Sequence, residues 1–211
     1  MKPYLTVLKA GQTEQTIERS RFIGHVIPAK TVSECENFFQ KIKKEHRQAT
    51  HNVPAYVLGE NFELQWAGDD GEPRGTSGAP IVHMLVKEGI SDVAIVVTRY
   101  FGGIKLGTGG LVRAYTGTAK LALATAGLGR VSEKLLIDAE IDYPDYNRLE
   151  AASGNTYIIE DKVFAEKVTV SFACEPELKG KVLEELNNLC RSLRLISEKL
   201  ERVTMPVAEE E

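Results

Sequence analysis

The 211-residue chain has only three cysteines, Cys35, Cys174 and Cys190, and no two of them form a C-x-x-C pair. An odd count without that spacing indicates neither a disulfide framework nor a structural zinc site, and it fits reduced thiols. No apolar stretch approaches the ~20 residues of a membrane span. The opening Met1–Thr6 lacks the apolar core of an export signal, so the expectation is a cytoplasmic chain with no membrane partner. Recognisable catalytic motifs are missing too. A Walker A loop beginning at Gly102 would need Lys at Thr108, and G-x-G-x-x-G cannot be placed there. The turn at Gly75 has Ala79 where a hydrolase nucleophile elbow needs its last glycine. Asp69, Asp70 and Glu72 lack the D-x-D-x-D-G spacing of a calcium loop, and His46 and His51, five apart, match no zinc pattern. The expectation is no catalytic residue, no metal and no cofactor.

Net charge is small, at −4, but charge is unevenly placed. Through Arg130 there are 16 Lys and Arg against 12 Asp and Glu; from Val131 onward there are 10 against 18. An acidic whole argues against indiscriminate nucleic-acid binding and gives no reason to expect DNA specificity. A mildly basic first half still permits one phosphate-facing surface. The alternative is that the split reflects only solvated surfaces.

What is present concentrates between Asp69 and Lys120. Two glycine-rich turns, 68–78 and 102–110, flank the continuous apolar run Val93–Val97, which suits a strand covered on both faces. Beyond the second turn, Leu111, Tyr115, Ala119 and Ala122 recur at helical spacing, predicting a helix from Gly110 to Ala126 stopped at Gly127. Strand, glycine loop, helix is the order of a backbone anion cradle, in which converging N–H groups and the helix start favour a negative ligand. The candidate binding set is Arg74, Thr76, Ser77, Arg99, Tyr100, Phe101, Gly102, Gly103, Lys105, Gly107, Thr108, Gly109, Gly110 and Arg113. The competing reading is that the glycines serve only tight turns and helix packing. In the first turn the acidic residues are expected to pair with Arg74, with Thr76 or Ser77 capping the following helix Ser77–Lys87.

Around this stretch the chain reads as a strand from Leu5 to Thr16 paired with one from Phe22 to Ile27. A helix capped by Thr31 with Glu34 in the capping box follows, then strands Ala55–Leu58 and Phe62–Ala67. His25 and His83 fall in strand and helix patterns, where local partners should satisfy them. Leu128–Ser132 reads as a linker. After it come strand 135–141, helix 144–152, strands 156–161 and 163–174, helix 176–193 and strand 195–203, a ferredoxin-like β-α-β-β-α-β order. The expected domains are 1–130 and 131–205, followed by a frayed acidic tail at 206–211.

The run D-D-G-E-P-R-G-T-S-G from Asp69, followed by V-T-R-Y-F-G-G-I-K-L-G-T-G-G-L-V-R-A-Y, resembles the signature of the IMPACT family and is similar to its bacterial members. The resemblance implies an α+β chain: an N-terminal sheet covered by helices, like several ribosomal proteins and domain IV of elongation factor G, and a second domain like that factor's domain V. It also implies a binder rather than an enzyme, since the eukaryotic relatives regulate translation by competing for a ribosome-associated activator of a stress kinase. The partners it points to are RNA or a ribosome-associated protein. Two alternatives stand beside it: a protein-interaction module that does not bind RNA, and a phosphate- or nucleotide-binding enzyme.

Overall fold

The computed structural model describes residues 3–207. These divide into two compact units, one running to Val131 and resuming at Thr204, the other Ser132–Val203. Both mix helices with antiparallel sheet, giving an α+β chain.

The first unit is built on β6 (Val93–Tyr100), the middle strand of a five-stranded sheet. Its neighbours are β3 (Ser20–Pro28) and β4 (His51–Leu58), with β2 (Gly11–Ile17) and β5 (Leu64–Ala67) at the edges, all pairs antiparallel. The two-face expectation holds residue by residue. Val93, Ile95 and Val97 enter one core with α2 (Gly78–Lys87) and α3 (Gly107–Ala126), while Ala94 and Val96 enter a second core with α1 (Val32–Glu45). The capping box also forms as read, Thr31 Oγ1 accepting from Glu34 N–H and Glu34 accepting from Thr31 N–H.

Three sequence expectations need correction here. Leu5–Thr16 is two strands, β1 (Tyr4–Val7) and β2, and β1 pairs not with β3 but with residues 128–131 of β7 (Leu128–Ile141). Leu128–Ser132 is therefore strand rather than linker. Gly129 serves a close approach there, since a Cβ on it would lie 2.6 Å from Leu8. Finally, α3 starts at Gly107 instead of Gly110, which puts Gly107, Thr108, Gly109 and Gly110 into its first turn.

The second unit is ferredoxin-like: the remainder of β7, α4 (Tyr143–Ala152), β8 (Ile158–Phe164), β9 (Val168–Cys174), α5 (Lys179–Leu189) and β10 (Leu193–Pro206) as far as Val203, with sheet order β10-β7-β9-β8. The turn between β8 and β9 falls at 165–167, not at Lys162, and the helix ends at Leu189 rather than Leu193. Ile137, Leu149, Val170, Phe172, Val182 and Leu186 form its core. Of the acidic tail, Pro206 ends β10 and Val207 N–H bonds Leu128 O, while 208–211 lie outside the described residues.

No helix is long and apolar enough to cross a membrane, among the described residues.

Candidate functional site

Asp69 organises the first glycine turn. Its Oδ2 accepts from Gly75 N–H at 2.8 Å, and its Oδ1 accepts from Ser77 Oγ at 2.7 Å and from Gly78 N–H at 3.1 Å. Burial alone would raise this carboxyl, but the three donors outweigh it and hold its pKa below the ordinary value. The cap of α2 thus comes from eight residues upstream of Ser77. The expectation that Thr76 or Ser77 caps the helix is replaced: Ser77 makes no capping bond, and the Thr76 hydroxyl turns back to Pro73 O. Both side chains are buried, so neither faces a ligand at the surface.

Glu72 does not pair with Arg74. It turns inward, and its Oε1 accepts from Arg99 Nη1 at 2.8 Å and from the Tyr115 hydroxyl at 2.7 Å, with His51 Nε2 3.6 Å away. Glu72 is 8% exposed and Arg99 4%. Arg99 Nη2 donates to Ser20 Oγ, and its guanidinium carbon sits 5.3 Å from the Phe22 ring centre and 5.2 Å from that of Phe101. Burial, and then the bond to Glu72, push the Tyr115 phenol far above its usual range. Arg99, read from sequence as a surface cation for phosphate, is instead the internal clasp between the two glycine turns. A charge this deep is kept only with its partners in place. The sequence reading missed Glu72, Ser20, His51 and Tyr115 as one cluster. Two signals stood in the sequence: His51, which precedes the strand Ala55–Leu58 and can so face the glycine turns, and Tyr115, a phenol on an otherwise apolar stripe that needs a partner when buried.

Past Arg99 the second turn comes to the surface. Tyr100 is half-buried, its hydroxyl 3.0 Å from His46 Nδ1 and its ring 5.1 Å from the Arg21 guanidinium carbon. Phe101 is 46% exposed. Gly102 lies against the Glu18–Arg19 tight turn, while Gly103 and Gly107 have positive φ. Lys105 and Arg113, both exposed, line one cleft of about 450 Å³ with Leu106, Gly110, Ile17 and Glu18. Among the described residues no side chain caps α3 and no acidic residue lies in its first turn, so the N–H groups of Gly107, Thr108 and Gly109 have no i−4 acceptor within the helix and lie in the same turn region as these two cations. The structure therefore gathers Lys105, Gly107, Thr108, Gly109, Gly110 and Arg113, keeps Phe101 exposed beyond Arg99, and leaves Arg74 exposed on the first turn.

His25 departs from its expectation as well. Far from being locally satisfied, it is 6% exposed, its Nε2 has no hydrogen-bond partner among the described residues, and its ring centre lies 5.0 Å from that of His46. Burial first, then His46 and Lys41 against an opposing Glu45, push its pKa from 6.5 down to about 4. The unfolded chain binds this proton more readily, so stability is full above pH 6.5 and falls as pH drops toward 4. The loss should reach roughly 2–3 kcal/mol. Urea midpoints at pH 7.5 and 4.5 test this: His25→Leu should flatten the wild-type difference by that amount, and an unchanged profile would contradict it.

These turns match a known pattern. The family description "Impact N-terminal domain" fits residues 18–123, which holds both glycine turns and every residue of the clasp. The chain belongs to the IMPACT family. A domain of unknown function, DUF1949, matches residues 140–192 of the second unit. The IMPACT family member YvyE of Bacillus subtilis is 47% identical over 147 residues, covering 70% of this chain and 68% of its own. A Thermus thermophilus IMPACT family member is 34% identical over 177 residues, covering 83% of this chain and 96% of its own. A crystal structure of a protein described only as hypothetical superposes over 100% of both chains, with TM-score 0.60 and 28% identity. The likeness thus takes in both units of this IMPACT chain.

Proposed function

We propose that this IMPACT chain is a non-enzymatic, translation-linked regulator that binds RNA phosphates through the start of α3. Its link to translation rests on family membership. One observation carries the RNA reading: an uncapped 20-residue helix begins on exposed glycines between two exposed cations, Lys105 and Arg113. Oriented N–H groups and mobile cations together favour a phosphate without needing a base-specific contact.

The glycines themselves support the reading. A Cβ on Gly102 would strike backbone, and Gly103 and Gly107 need positive φ. Gly109 has neither excuse, as its φ is ordinary and a Cβ would meet only the Arg113 guanidinium at 3.6 Å. A glycine that the fold does not require keeps the backbone open to an approaching ligand. Gly109→Ala should therefore stabilise the protein by about 0.5–1 kcal/mol, because alanine is the better helix former. The same change should weaken binding to structured RNA several-fold. Charge reversal at Lys105 and Arg113 should weaken it on the order of tenfold or more, with stability changing by less than about 1 kcal/mol. Filter binding with parallel urea melts reads both quantities. Wild-type affinity retained in all of these variants would refute the RNA site.

A protein partner is the second reading, favoured by Phe101, a large exposed aromatic at the rim of the same surface. In that case Phe101→Ala, rather than charge reversal, should abolish partner binding.

A further inference from the structure

On the α1 face of the first sheet, away from α3, lies a cavity of about 530 Å³ that the RNA reading does not use. Phe39 and Trp66 line it, and Tyr56 stacks nearly parallel to both. Tyr56 and Trp66 are cross-strand partners on β4 and β5, 5.8 Å apart and inclined by 23°; Phe39 of α1 lies 6.0 Å from Trp66 and 6.4 Å from Tyr56. Trp66, at the open end, is 48% exposed on an edge strand. Two carboxylates and one ammonium, Lys43, line the same cavity. Asp70 is held by Asn52 N–H at 2.6 Å and by Lys43 at 3.7 Å, whereas Glu36 makes no ion pair among the described residues. Gln40, also in the lining, adds an uncharged carbonyl acceptor.

We propose that this groove takes the guanidinium of an arginine side chain presented by a partner protein. Flat aromatic faces stabilise a flat cation laid against them, and the effect grows as water is excluded. An unpaired carboxylate beside the same faces completes the charge, and the guanidinium fork can meet a carboxylate and an amide carbonyl together. A lysine ammonium carries the charge without the planar stack. A nucleic-acid strand would share the stack but bring its phosphates against Glu36 and Asp70, so this face opposes the ligand that the α3 surface favours.

Trp66 is the only tryptophan in the chain, so its emission reports this groove directly. The test titrates the intact protein with the capped tripeptide acetyl-Gly-Arg-Gly-amide, alongside its lysine and citrulline counterparts and adenosine monophosphate. The arginine peptide should give a saturable change with a Kd of about 1 mM or tighter. The lysine peptide should bind at least about threefold more weakly, while the neutral citrulline peptide and the nucleotide give no saturable change. Glu36→Gln alters one exposed helix position and should weaken the arginine peptide about threefold to tenfold with unchanged far-ultraviolet circular dichroism. No saturable response to arginine, an equal response to citrulline, or tighter binding of the nucleotide would each overturn the assignment.

Discussion

Replacing Arg99 with methionine should cost about 3–5 kcal/mol of folding stability, a large share of what a domain of this size has. Methionine roughly preserves the bulk between Phe22 and Phe101 but leaves Glu72 buried with the Tyr115 hydroxyl at 2.7 Å and His51 Nε2 at 3.6 Å as its nearest side-chain donors among the described residues. An uncompensated carboxylate at 8% exposure is the expensive element, more than the lost attraction itself. Adding Glu72→Gln to Arg99→Met should therefore recover part of the loss, a coupling that two independent sites do not show. Urea denaturation of the two single variants and the double measures it. A loss below about 1 kcal/mol, or strictly additive losses, would mean that the clasp does not hold the glycine turns together.

The second large effect is expected at Gly102. An added Cβ would lie 1.9 Å from the carbonyl oxygen of Arg19 and 2.6 Å from the Ser20 nitrogen. Backbone on both sides leaves no flexible side-chain end to move away. Arg19 is itself fixed, since Glu18 and Arg19 form the two-residue loop of the β2–β3 hairpin with φ of 46° and 63°. Gly102→Ala should thus destabilise by about 3 kcal/mol, at the upper end for overpacking. It should also disturb the Ser20 hydroxyl, which accepts from both Gly102 N–H and Arg99. A Gly102→Ala variant as stable as wild type would show that this contact is looser than the close approach implies. Set beside the opposite sign expected at Gly109, the pair separates glycines that the fold demands from one that it does not.

The contrast explains what could be read from the sequence. Local, periodic signals were legible: the Thr31–Glu34 capping box, the two-faced strand around Val93–Val97, the Leu111–Tyr115–Ala119–Ala122 stripe of α3, and the element order of the ferredoxin-like unit. Long-range pairings were not. Arg99 sits between an apolar run and a glycine turn, where a cation reads as exposed, and its partner Glu72 is 27 residues earlier in a turn whose nearest cation is Arg74. Capping rules look next to the helix and so point to Thr76 and Ser77, yet Asp69 reaches the start of α2 through a folded turn. Leu128–Ser132 looked like a linker because it carries glycine and charge without apolar periodicity. Its strand character comes from β1, more than 120 residues away. The Trp66 groove left no local trace, as its wall joins a helix to two strands.

The salt dependence of RNA binding tests the central claim most directly, because it measures how many phosphates the α3 surface neutralises. Association of the wild-type protein with a structured RNA should fall linearly in logarithm with the logarithm of salt concentration, with a slope of about −2 or steeper. The Lys105→Glu, Arg113→Glu variant should be shallower by about 2. Binding that is absent at low salt, or equal slopes for the two proteins, would contradict the account.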